Sequence, residues 1–117
     1  MRKTDLNDRT KQFALRIIRM FGALPKRIEC EVIGKQVLRS GTSVAANYRE
    51  AGRARTNSEL VSKLSIVLQE LDETQLWLEL VVEAGFVVDT KLVPLHKEAD
   101  ELQRIMVASI RTLRKKE

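Results

Sequence analysis

Three pairs of carboxylates stand close together along the chain: Glu29 with Glu31, Glu70 with Glu73, and Glu98 with Glu101. Paired carboxylates can share general acid–base work when a cleft shifts their pKa values apart. A charged helix face explains these pairs more simply. His96 is the only histidine, and the residue three before it is Val93. Di-iron bundles use Glu-x-x-His pairs, so that motif is absent. Cys30 is the only cysteine, which excludes an internal disulfide and a cysteine-based zinc site. Its nearest cations are Lys26 and Arg27, and glutamates flank it, so it reads as a buried or half-buried thiol rather than a nucleophile. The phosphate-cradling patterns Gly-x-x-x-x-Gly-Lys and Gly-x-Gly-x-x-Gly do not occur. Gly41-Thr42-Ser43 superficially resembles a phosphate turn, but Val37, Leu38, Val44 and Ala45 keep helical spacing through it. These residues predict a protein that is not an enzyme and takes no metal or cofactor.

The other candidate chemistry is the recognition of anions. The net charge is +5 and the isoelectric point about 9.7, which favours a polyanionic partner. Lys35, Arg39, Thr42, Arg49 and Arg53 share one face of a helix, and Arg55 follows it. Arg111, Arg114, Lys115 and Lys116 close the chain. Spaced positive rows of this kind make phosphate contacts to RNA or DNA. Aromatic residues are 4% of the chain, too few for single-stranded bases to stack on. The competing reading is a solvated helix face, or arginines used in ion pairs between subunits.

Four helices must position these residues. The chain has 117 residues, 44% apolar and 32% charged, with five glycines and two prolines, a composition suited to a single helix-rich domain. Apolar spacings of three and four place helices at about 7–23, 28–54, 57–84 and 90–114. Phe13, Ala14, Ile17, Ile18, Phe21 and Leu24 line the first, with Arg9, Lys11, Arg16 and Arg19 mostly away from that stripe. The second carries Ile33, Val37, Val44, Tyr48 and Ala51. Beside them runs a row of small residues, Gly34, Gly41, Ala45 and Gly52. Mid-helix glycine costs up to about 1 kcal/mol relative to alanine, so the row predicts close approach of another backbone; the alternative is a break at Gly34 or Gly41. Thr56 and Glu59 form a capping box before Leu60, Leu64, Val67, Leu71, Leu78 and Val81, with Thr74 in the one polar slot. Gly85 is a left-handed cap. The last helix repeats Leu92, Leu95, Ala99, Leu102, Met106, Ser109 and Leu113. Short connections make neighbouring helices antiparallel, giving an all-α, up-and-down four-helix bundle.

Helix three has a second row: Ile66, Glu70, Glu73, Trp77 and Leu80. Around Trp77 it is apolar nearly all round, which normally means burial all round. A bundle helix keeps one face in water, so the extra row predicts an interface between copies of the chain. Tryptophan is enriched at such contacts. Glu70 and Glu73 would need cationic partners there, with Arg39, Arg49 and Arg53 the candidates.

The run Arg39-Ser40-Gly41-Thr42-Ser43-Val44-Ala45-Ala46-Asn47-Tyr48-Arg49-Glu50-Ala51 is distinctive. So is Glu70-Leu71-Asp72-Glu73-Thr74-Gln75-Leu76-Trp77-Leu78-Glu79-Leu80. Together they resemble the four-helix-bundle family encoded in intervening sequences of bacterial 23S rRNA genes. The resemblance covers nearly the whole chain and is weakest before Phe13. It implies a ring-like homopentamer. It also implies kinship with the accessory variability protein of diversity-generating retroelements, which binds nucleic acid and a reverse transcriptase. It carries over no catalytic residue.

The expectation is therefore a non-enzymatic, homo-oligomeric accessory protein that binds nucleic acid. The alternative is an adaptor oligomer with a protein partner, whose arginines serve the subunit interfaces. Residues 1–8 are charged, without an apolar signal region, and no apolar run approaches the roughly 18 residues of a spanning helix. A cytoplasmic protein with no membrane partner is expected.

Overall fold

The computed structural model describes residues 3–116, with side chains from Leu6 onward; the charged segment at residues 1–8 lies partly outside them. Four helices account for most of the described chain: α1 (Lys3–Gly22), α2 (Ile28–Ala51), α3 (Asn57–Glu83) and α4 (Asp89–Lys115). No strand occurs among the described residues. Each helix packs on the next, and α1 meets α4 more sparsely. The result is an antiparallel four-helix bundle, 48 × 21 × 20 Å.

The core follows the apolar stripes. Phe13, Ile17, Val37, Val44, Val67, Leu71, Leu78, Val81, Leu102 and Met106 are fully buried. Ile18, placed on the core stripe of helix one by its spacing, is 46% exposed instead. Thr74 occupies the polar slot in the α3 core row. Its hydroxyl lies 2.7 Å from the Glu70 carbonyl and 2.8 Å from Ser40 Oγ on α2. Both side chains are fully buried, and Ser40 Oγ also reaches the Val37 carbonyl at 3.3 Å, so neither hydroxyl carries the cost of an unmet hydrogen bond.

Helix α2 runs unbroken through Gly34 and Gly41. What approaches the glycines is side chain, not backbone. A Cβ on Gly41 would lie 2.7 Å from Ile17 Cγ1, and one on Gly34 would lie 2.8 Å from the Phe21 ring. The two glycines are sockets for α1. Gly52 meets no neighbouring element and serves as the α2 C-cap.

The ends differ from expectation in detail. Helix α1 begins earlier, at Lys3, and α2 stops at Ala51 rather than 54. The chain must leave the helix there to reach the extended backbone of Thr56, φ −133° and ψ 161°. Thr56 Oγ1 accepts from the Glu59 N–H at 3.0 Å. The Glu59 carboxylate reaches one residue further back than a capping box requires, to the Arg55 N–H at 3.1 Å. Gly85 has φ +80°. Around it the Phe86 N–H donates to the Val81 carbonyl and the Gly85 N–H to Val82, the paired bonds of a Schellman motif. No helix among the described residues is long and apolar enough to cross a membrane.

Candidate nucleic-acid interface

The fold sorts the basic candidates by end. In this topology α2 and α4 finish where α3 begins. Arg49 closes α2, Arg53 and Arg55 lie in the turn after it, and Arg111, Arg114 and Lys115 occupy the last two turns of α4. These six are exposed. None of them forms an ion pair among the described residues. Arg111, Arg114 and Lys115 flank a groove between α3 and α4 that Leu68 and Ile110 floor. Arg49 stands on the diagonally opposite helix and Arg53 in the turn after it, so the six share an end rather than one face. They sit at helix C-termini, where positive charge also complements the helix dipole.

Lys35 and Arg39 do not belong to this cluster. Lys35 sits near the opposite end of α2, about 27 Å from Arg53 at 1.5 Å per residue, and pairs with Glu31 at 3.1 Å. Arg39 turns toward α3. It contacts Glu70 at 3.4 Å and binds Glu73 more closely. Trp77 Nε1–H donates to the same Glu73 carboxylate at 3.1 Å. That bond first, and then Arg39, holds the Glu73 carboxyl below its ordinary pKa. The glutamates of the second α3 row thus find their cation within their own chain. Of the three arginines expected to serve them, Arg39 does so, while Arg49 and Arg53 do not reach them.

The rest of the second row divides as well. Ile66 and Trp77 are half-buried, and Trp77 packs against the core. Leu80 is 37% exposed, and Leu76, which the row omits, is 49% exposed. Ser40–Thr74 and Lys63–Glu50 fix the α2–α3 register. Leu76 and Leu80, one helical turn apart, are the exposed large apolar residues of α3.

The two distinctive runs have structural work in this seam. Ser40 bonds Thr74, Gly41 receives Ile17, and Arg39 holds Glu70 and Glu73. Glu50 takes Lys63 at 2.7 Å. Asn47 returns to the Ser43 carbonyl at 2.9 Å. Gln75 bonds Gln103 and the His96 carbonyl on α4.

Every carboxylate pair noted in the sequence holds a cation. Glu29 pairs with Arg27 and Glu31 with Lys35. Arg9 bridges Glu98 at 2.6 Å and Glu101 at 3.2 Å, across α1 and α4. Arg9 was expected mostly away from the packed stripe. Its guanidinium instead lies in the α1–α4 seam, and the bond to Glu98 raises its pKa further. His96 Nε2 meets Glu79 at 2.9 Å on the surface, and Cys30 is buried. No group of three or more His, Cys, Asp or Glu among the described residues is placed to hold a metal.

Comparison with known proteins agrees with the fold and the motifs. No curated protein matches the chain. A solved structure from Bacteroides thetaiotaomicron, a protein of unknown function from the S23 ribosomal protein family, superposes with a TM-score of 0.88. It is 32% identical, over 95% of this chain and 99% of its own. The family model for the 23S rRNA-intervening sequence protein matches residues 2–108. That span contains the Arg39–Ala51 and Glu70–Leu80 runs, the first three helices and α4 as far as residue 108, and the chain belongs to this family.

Proposed function

We propose that this protein is a non-enzymatic homo-oligomer, of pentameric form by family resemblance, that binds RNA or DNA through its basic end. One observation carries the reading: Arg49, Arg53, Arg55, Arg111, Arg114 and Lys115 gather at one end with no ion-pair partner among the described residues. Cations left without internal acids are available to phosphate oxygens, which release counterions when neutralised. Oligomerisation would multiply a net charge of +5. Support for a non-catalytic role comes from the carboxylate pairs, each of which holds a cation.

Binding of a duplex rRNA fragment across a salt series tests this. Affinity should fall steeply, with a log–log slope of about −0.9 per phosphate contact. Arg53→Glu with Arg114→Glu should flatten the slope by about two contacts. No binding at low salt, or a slope untouched by these changes, would sink the proposal.

The adaptor reading draws on the exposed Leu76 and Leu80. Its premise that Arg39 serves a subunit interface loses weight, because Arg39 meets Glu70 and Glu73 within its own chain. A reverse transcriptase as partner rests on family resemblance alone.

A further inference from the structure

The α1–α4 seam opens into a cavity of about 500 Å³ at the end of the bundle away from the basic cluster. Its floor is apolar, with Met20, Val87 and Leu95 among its lining residues, and Arg16, Arg19 and Lys91 line it as well. None of these three cations has an ion-pair or hydrogen-bond partner among the described residues.

The register of the two helices explains why. Arg9 closes the seam further along by holding Glu98 and Glu101. In an antiparallel pair that pairing sets Arg16 and Arg19 opposite the first turns of α4, where Lys91 stands. The acid of the first turn, Asp89, lines a different groove, on the α3 side, with Glu79 and Glu83. Cation therefore faces cation across an apolar floor, and facing like charges is unfavourable. An anion between them removes that repulsion. Arginine also binds carboxylate through two parallel N–H···O bonds.

We propose that this groove is a binding site for a small organic anion with an apolar tail, a medium-chain carboxylate being the simplest. The carboxylate sits among Arg16, Arg19 and Lys91, and the tail covers Met20, Val87 and Leu95. The cavity falls within the roughly 300–1,000 Å³ range of small-molecule sites, which combine apolar walls with a few polar groups. A nucleic-acid backbone would use the cations but gain nothing from the floor. The site shares no residue with the basic end and stands independently of the nucleic-acid reading.

Sodium decanoate, kept below its micellar concentration, tests this on the full chain by calorimetry and amide chemical shifts. Saturable binding of one decanoate per chain is expected, with shifts at Ala23 and Val87. Hexanoate should bind at least about tenfold more weakly, since a fully buried methylene is worth roughly fourfold in affinity. Arg16→Glu with Lys91→Glu should weaken decanoate about tenfold while circular dichroism stays unchanged. If that double variant unfolds, the exposed Lys91→Glu alone gives the readout. Decanol binding as tightly as decanoate, unsaturable binding, or affinity indifferent to charge reversal overturns the proposal. A short duplex that shifts the same amides when decanoate does not also overturns it and assigns the groove to phosphate.

Discussion

Glu73 accepts from two side chains at once, the Trp77 indole N–H and the Arg39 guanidinium. Both favour the ionised carboxylate, so its folded pKa lies below the ordinary 4.5. A lowered folded pKa means stability that is present above pH 4.5 and lost as pH falls through the folded value. The indole N–H resonance of Trp77 should therefore titrate with a midpoint below 4.5, and Glu73→Gln should abolish that titration. A midpoint at or above the ordinary value would contradict the geometry. Gly41 makes a second residue-scale prediction. A methyl group there meets Ile17 at 2.7 Å, so Gly41→Ala should cost about 1–3 kcal/mol in urea denaturation. The cost should shrink in an Ile17→Ala background, since the two sites share one space. The small-residue row was legible in the sequence. That a side chain rather than a backbone fills it was not, because spacing along one helix does not name what the neighbour presents.

At the scale of the helix, local chemistry decided most boundaries. Thr56 caps α3 and Gly85 ends it, both as their residue types dictate. Thr56→Ala should cost about 1 kcal/mol through the lost cap, and Gly85→Ala about 1–2 kcal/mol through its left-handed backbone. Denaturation midpoints that do not move would contradict both assignments. Helix α2 ends three residues before its periodicity predicts. Helical periodicity continued through Gly52, Arg53 and Ala54, but the extended cap at Thr56 needs a turn before it. That change moves Arg53 off the helix face and into the turn with Arg55. Arg39 shows the same limit differently. A helical wheel puts it in line with Lys35 and Arg49, whereas the α2–α3 seam turns it onto Glu70 and Glu73.

At the scale of the whole molecule, oligomerisation is the open expectation, and the structure improves its test. Trp77 packs against the core and bonds Glu73, so Trp77→Glu would disturb the fold as well as a subunit contact. Leu76 and Leu80 point outward and make the cleaner probe. Light scattering should give a multiple of 13.4 kDa. Leu76→Glu with Leu80→Glu should reduce it to the single-chain mass without loss of helicity. An unchanged assembly in that variant would remove this surface from consideration.

The sequence by itself determined four amphipathic helices, their order, the α3 caps and most of the core, because these depend on periodicity and on short-range backbone chemistry. It also marked the Arg39–Ala51 and Glu70–Leu80 runs as unusual. Only the tertiary structure decided what those runs do: they clasp α2, α3 and their neighbours, leaving little of themselves for a ligand. It likewise decided which cations are free. Arg9 finds Glu98 and Glu101, Arg39 finds Glu70 and Glu73, and Arg16, Arg19 and Lys91 find no acid among the described residues. Charge counts along a chain cannot make that distinction, because an ion pair between helices depends on which turns the packing sets side by side.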